Sequence, residues 1–527
     1  MKRRLSSANA RYLLVPTLLL TCLIPFQNCA EVSFEQDSAS LQSSLEVGPE
    51  EDHIPVVPEI VATPTPKPVT PVPTPTPKPP SGPFAWKTGA YGACGAACGK
   101  GLQFRNVECR DESTNLQVAE TYCAGIAKPA AQLACQVANP SCKTWIRSAA
   151  DFINLKAGPG EYACVEDDID FKGAVVDGRF ATNLSNQTVD GCGHTLKNLA
   201  FRTRGLFGAI TSTTIRRLTV VDADVNVTAS PSFSEAAHFG TIANTIAESS
   251  LVEDVEVRTS RKFQVKMNGF ATWCAGIVGI ASGGTFRRIK FQAGEVDLQC
   301  YFAGGFAGRI FPVNSSVKAS EIGLSWTRLS YLGSGHSVSG VGMVDGVFGG
   351  FVGRFFGYHP ATDELRSIQV HGNVQITGVA GSVGGVIGQI FQTVIEHPPL
   401  LQSLSYTGTI ERRQSFSCVG QNPGVGGLLG HFFPKTGTNV PVVIRQSSFT
   451  GTLRIHECDP PIGHSALTAQ GFKMNAGLGI GSARDHEDMI QLKDFNSVGN
   501  VLVEVPGRGV TTTSSVPRYP VIWKVGP

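Results

Sequence analysis

Charge is scarce in this chain. Asp, Glu, Lys and Arg make up 16% of its 527 residues, against about 25% in ordinary soluble domains. The signs nearly cancel, with 44 Lys and Arg against 42 Asp and Glu. A concentrated basic face is therefore not expected, and nucleic acid is excluded as the main partner. The apolar run Tyr12–Phe26 is too short to span a bilayer and is broken by Pro16 and Pro25. A phosphate-binding P-loop, a G-x-S-x-G elbow and a dinucleotide fingerprint are all missing, and no cofactor is expected. What is abundant is Gly (59), Pro (32), Phe (29) and Cys (14). Gly and Pro are the poorest helix formers, so a helical bundle is excluded. Fourteen cysteines point to an oxidising compartment. The length allows about two to four domains.

Lys2, Arg3, Arg4 and Arg11 precede the apolar run, the layout of an export signal. The segment Leu23-Ile24-Pro25-Phe26-Gln27-Asn28-Cys29-Ala30 resembles a bacterial lipoprotein signal, although Phe26, Gln27 and Asn28 depart from its usual pattern. The resemblance implies a signal over 1–28, lipidation at Cys29 and an outer-membrane, surface-exposed protein. Ordinary secretion with cleavage nearby is the alternative. Residues 29–53 hold seven acidic residues and no Lys or Arg, the composition of a disordered tether. Residues 54–83 hold twelve prolines and read as a polyproline II stalk reaching roughly 90 Å.

Residues 84–142 hold Cys94, Cys98, Cys109, Cys123, Cys135 and Cys142. So many cysteines in so short a segment read as a disulfide framework, with fifteen possible connectivities. The stretch from Trp86 through Tyr91, Cys94, Cys98 and Arg105 to Cys109 resembles a thrombospondin type-1 repeat. That resemblance implies a thin three-stranded module with a side-chain stack containing Trp86, Tyr91 and Arg105. It also implies the pairs Cys94–Cys135, Cys98–Cys142 and Cys109–Cys123. Spacer and ligand module are equally open roles for it.

From Lys143 to Pro527 a short Gly motif recurs: Gly205-Leu206-Phe207-Gly208, Gly276-Ile277-Val278-Gly279, Gly305-Phe306-Ala307-Gly308, Gly350-Phe351-Val352-Gly353, Gly385-Val386-Ile387-Gly388 and Gly427-Leu428-Leu429-Gly430. With a weaker copy at Gly240, successive starts lie 35, 36, 29, 45, 35 and 42 residues apart. Such a period means a solenoid or array. Alternating segments such as Thr214–Val221 and Thr285–Phe291 follow the motifs, so the units are strands. A propeller or a sandwich pair is the alternative. The motif resembles the GLUG repeat of bacterial surface proteins, which implies a right-handed parallel β-helix. Cys164, Cys192, Cys274, Cys300, Cys418 and Cys458 are expected to form three local bridges in sequence order.

Catalytic signatures are thin. Asp167, Asp168 and Asp170 form the densest acidic cluster and read as a solvated turn or a weak Ca²⁺ site. Residues 485–488 and 456–459 match neither H-E-x-x-H nor a zinc pattern, and no metal site is expected. His194 reads as a turn residue. Arg216-Arg217 and Arg287-Arg288 each fall eleven residues after a Gly motif, where stacked coils align them as a basic ladder for an anionic glycan. A solvated face is the blander reading of them. The Phe residues inside the Gly motifs read as core. The whole reads as a lipid-anchored surface protein whose β-helix head recognises a glycan or an envelope protein. A β-helix polysaccharide lyase or glycosidase is the alternative.

Overall fold

Two glycines in each full copy of the motif fix the architecture. A Cβ on Gly350 would stand 2.0 Å from the carbonyl of Gly385 in the next coil, and one on Gly388 would stand 2.4 Å from the carbonyl of Phe348. Backbone approaches this close exclude any side chain, so the chain turns a tight corner there. The residues between the glycines, Phe351 and Val352 or Val386 and Ile387, are all buried. Each motif therefore joins two short strands at an angle and plants its apolar pair in the core.

The computed structural model describes residues 82–513 apart from short segments, the longest being 414–423 and 457–474. The export signal, Cys29, the acidic tether, nearly all of the proline stalk, Cys418, Cys458 and residues 485–488 lie outside the described residues. From Thr144 onward the chain winds as a parallel β-helix. One coil runs through Phe302–Gly304, Ala307–Ile310 and the long strand Val317–Gly333; the next runs through Gly346–Gly349, Val352–Gly357 and Glu364–Gly378. Stacked coils build sheets of seven, nine and nineteen strands. Pairing is parallel and in register, as in Phe302↔Val347, Arg309↔Arg354 and Phe291↔Leu324. Stacking satisfies each strand's backbone groups through the coils above and below.

The long strands bend at one residue held at positive φ in every coil: Arg217, Asp254, Arg288, Glu321, Ser367 and Ser403, all between 50° and 57°. These positions stack directly on one another. Inside lies one continuous apolar cluster from Ile146 to Ile490. Phe306 and Phe351 stack within it, with ring centroids 4.8 Å apart and planes at 3°.

The two ends differ. A five-residue helix, Ala149–Ile153, starts where the Ser148 side chain accepts the Asp151 N–H, a normal N-cap. It drives Phe152, fully buried, against Phe171 and Phe207 at the first coils. At the far end Asn496–Val505 and Gly509–Thr513 pair antiparallel. The helix covers the core that a solenoid otherwise leaves open.

Residues 84–142 form a thin module of antiparallel pairs, Phe84–Thr88 with Val107–Asp111 and Gly99–Phe104 with Gln132–Val137. It is joined directly to the first coils. Lys100 N–H donates to the Glu166 carbonyl (2.8 Å) and Ala97 N–H to the Cys192 carbonyl (3.0 Å). The disulfides follow this docking. Cys94–Cys135 and Cys109–Cys123 lie within the module, but Cys98 pairs with Cys192 and Cys142 with Cys164. The expected Cys98–Cys142 and Cys164–Cys192 bridges are thus replaced by two that cross the joint, because docking brings all four sulfurs together. Cys274 pairs with Cys300.

Candidate functional site

In the module, the Arg105 guanidinium lies 4.5 Å over the Tyr91 ring and Lys128 lies 5.0 Å over Trp86. Trp86 Nε1–H donates to the Ile126 carbonyl (3.0 Å), and both Tyr91 OH and Arg105 Nε donate to the Ala130 carbonyl (3.1 and 2.8 Å). The cations and rings therefore clip the irregular segment 126–130 onto the strands. This is a structural stack, with each ring spending its polar atom on the backbone.

The arginine pairs occupy the positive-φ corner, but they do not form a basic ladder. A coil at Leu251–Thr259 intervenes between them and places Glu253 opposite Arg216 and Arg287. Charges alternate up the corner. Arg216 and Arg217 both donate to the fully buried Asp190. Arg287 and Arg288 pair with Glu253, and Arg288 Nε also reaches Asp254 at 2.6 Å. Self-neutralised arginines make this face a structural zipper. Asp168 accepts from Thr195 N–H and Lys197, Asp170 accepts from Asn198, and Asp167 lies 3.7 Å from Lys100. His194 Nε2 contacts the Cys98 carbonyl at 3.2 Å. That acidic cluster and His194 belong to the joint and the first turns.

A different constellation runs along the outside of the Gly-motif corner, where the seven- and nine-stranded sheets face each other. One rail is His238, Trp273, Phe302 and Val347, in register on successive coils. The opposite rail is Ile280, Arg309, Arg354, Gln389 and His431. Beside the latter run Phe311, Phe356, Phe391 and Phe433. Neighbouring rungs repeat at about 4.8 Å, the strand spacing.

The two rails interlock. The Arg309 guanidinium lies 4.1 Å from the Phe311 centroid, 4.4 Å from Phe356 and 5.5 Å from Trp273. Arg354 lies 4.7 Å from Phe356, 5.1 Å from Phe302 and 5.2 Å from Phe391. His431 stacks on Phe433 at 4.6 Å, and Phe433 is 40% exposed. None of these rail positions carries a carboxylate. Among the described residues, the buried Trp273 Nε1 and Gln389 Oε1 have no hydrogen-bond partner, although buried polar atoms are normally satisfied. Burial, reinforced by Arg309, pushes the His238 imidazole down to about 4. Much of this seam is closed, with Trp273, Phe302, Val347, Phe356, Gln389 and His431 all buried; what it offers to the outside is the half-buried rings of Phe311 and Phe391 and the exposed ring of Phe433.

Sequence reasoning missed this groove, yet each rail has a fixed offset from the Gly motif. Arg309, Arg354, Gln389 and His431 directly follow the motif's last glycine, and Phe311, Phe356, Phe391 and Phe433 come two residues later. Trp273, Phe302 and Val347 stand three residues before its first glycine. Aligning the repeats on their glycines exposes all three rails.

Comparison with known proteins bears on the module. Residues 86–142 match the thrombospondin type 1 domain. A thrombospondin type 1 domain is present in this chain. Among curated proteins, the chain is 34% identical over 76 residues to "A disintegrin and metalloproteinase with thrombospondin motifs gon-1" of Caenorhabditis elegans. That match covers 14% of this chain and 3% of the relative. No solved structure matches. The thrombospondin type 1 domain is typical of extracellular adhesion and recognition proteins, and here it sits welded to a β-helix.

Proposed function

We propose that this is a surface recognition protein that binds a glycan along the aromatic–arginine groove of its β-helix, with the thrombospondin type 1 domain as a rigid neck. The observation that carries the reading is the groove itself. Sugar rings present C–H faces to aromatic side chains, and the ring row that runs from Phe356 through Phe391 ends at the exposed Phe433, which supplies such a face. Cations over rings add about 0.5–2 kcal/mol per contact. Rungs at the strand spacing suit a chain that runs across the coils.

The lipid anchor at Cys29 and the stalk form part of the same proposal: they hold the head away from an outer membrane. Glycan-array binding by the purified protein, with reducing-sugar release assayed on the same polysaccharides, tests the reading. Binding without release, weakened at least tenfold by Phe433→Ala or Arg354→Ala at unchanged melting temperature, is the expected result. Sugar release would move the protein to the polysaccharide-degrading class, and silence on every glycan would end the glycan reading.

A further inference from the structure

Cys98, Cys142, Cys164 and Cys192 place their sulfur atoms all within 4.8 Å of one another. Two come from the module and two from the first coils, and three of the four are fully buried. Their spacing in the chain, 44, 22 and 28 residues, contains no C-x-x-C pair, so no sequence pattern announces them. A tetrahedral zinc tetrathiolate has Zn–S bonds of about 2.3 Å and hence S···S edges of roughly 3.8 Å. The observed cluster brackets that edge, and Cα–Cα separations of 4.9 and 5.7 Å within the two bonded pairs leave side-chain rotation enough to reach it.

The surroundings suit a negative sulfur cluster. Arg217 Nη2 lies 3.9 Å from Cys98 Sγ, and Asn139 Nδ2 lies 4.0 Å from Cys164 Sγ. Arg217 is held in place beside the sulfurs by the buried carboxylate of Asp190, which it shares with Arg216. Donors and charge outside the ligands are what hold thiolates ionised at a metal.

We propose that in the reduced chain these four cysteines form a binding site for one zinc-class divalent ion, which the two disulfides replace on oxidation. Binding converts four thiols to four thiolates and releases four protons. Oxidation passes four electrons to two disulfide equivalents of a thiol oxidoreductase. That step takes up four protons, yields four thiols on the oxidant, forms Cys98–Cys192 and Cys142–Cys164, and sets the ion free. In both states the module is tied to the coils at the same four points, so the joint is held before oxidation as well as after it.

The test is a cobalt titration of the full chain, reduced without oxygen by a metal-free phosphine. One equivalent of Co²⁺ is expected to give the intense visible bands of a tetrahedral tetrathiolate, bleached by one equivalent of Zn²⁺. Cys98→Ser with Cys192→Ser should abolish the colour, and Cys94→Ser with Cys135→Ser should leave it. Arg217→Gln should weaken zinc binding about tenfold. Weak octahedral spectra, or colour that survives in the Cys98→Ser/Cys192→Ser protein, would overturn the proposal. If reduction alone unfolds the joint, reduction in the presence of Zn²⁺ should keep residues 144–201 resistant to protease; equal digestion with and without zinc would also overturn it.

Discussion

Among their described residues, the module at 84–142 and the coils from Thr144 onward bury quite different things. The module's buried apolar side chains are Cys98, Cys109 and Cys123, whereas the coils bury an unbroken column of Phe, Ile, Leu and Val. Six of the eleven large apolar side chains left exposed, from Leu102 to Leu133, belong to the module. A module this thin has too little interior to offset its ordering entropy, so cross-links and ring–cation clips replace a core. A solenoid adds core with every coil, and among the described residues its one bridge of its own is Cys274–Cys300. The same chain therefore contains one region whose stability resides in the unfolded state's lost freedom and another whose stability resides in packing.

Cutting the weld tests the first half of this contrast and carries the largest effect. Cys98–Cys192 closes a separation of 94 residues, which on loop-closure entropy alone contributes about 4.7 kcal/mol. Cys98→Ser with Cys192→Ser is expected to lower the module's resistance to guanidinium by about that much and to leave coils beyond Leu251 unchanged by hydrogen exchange. Equal loss across the whole chain would show the two regions to be one cooperative unit.

The second half is tested by truncating rings. Phe351, fully buried against Phe306, should cost about 3–5 kcal/mol as Phe351→Ala. Phe104, 56% exposed on the module, should cost less than about 0.5 kcal/mol as Phe104→Ala. Denaturant midpoints read both, and a module variant as damaging as the coil variant would sink the contrast.

These differences also explain what was legible beforehand. The Gly motifs were plain because a Cβ at Gly350 or Gly388 would stand 2.0–2.4 Å from a neighbouring carbonyl, which keeps glycine at those corners. The module was plain because cysteines and Trp86 stand at fixed spacing. Cys94–Cys135, Cys109–Cys123 and Cys274–Cys300 pair as expected; the two bridges across the joint were not legible, because they depend on how Gly99–Phe104 docks beside Glu166, a contact between segments about 65 residues apart. The basic ladder, set in the sequence against a blander solvated face, fails because the coil with Glu253 and Asp254 stands between the two arginine pairs and pairs with them. The groove went unseen because its Phe residues look like those of the core, and only their offset from the motif, at Phe311, Phe356, Phe391 and Phe433, puts them outside.

Two titrating groups in the coils, the buried Asp363 and the half-buried His238, give the packed region its own pH signature. Burial pushes Asp363 up to about 7, although it accepts the Val317 N–H at 2.7 Å. Its native pKa lies above the unfolded value of 3.8, so the folded chain binds more protons in between and stability falls as pH rises from about 4 to 7. The displacement bounds the loss at about 4 kcal/mol. Asp363→Asn keeps the acceptor and should flatten that slope and raise the neutral-pH midpoint. His238 acts oppositely: with its pKa lowered from 6.5 to about 4, it costs stability as pH falls through that window. His238→Gln should remove this acid-side loss, as read by urea midpoints between pH 4 and 7. A slope unchanged in both variants would place the pH dependence elsewhere.

The smallest effects separate the two kinds of arginine. Arg105 in the module stacks on Tyr91 and donates to the Ala130 carbonyl; Arg105→Ala should cost about 1.5 kcal/mol, from one exposed cation–π contact and one hydrogen bond. Arg288 on the coils lies at an exposed ion-pair corner with Asp254 and Glu253; Arg288→Ala should cost less than about 1 kcal/mol. Salt distinguishes them further. Screening at about 1 M shortens the Debye length to about 3 Å, so the Arg288 contribution should shrink while the ring contact and backbone hydrogen bond of Arg105 persist. A large, salt-resistant loss at Arg288 would mean that the alternating corner, rather than the apolar column alone, holds the coils in register.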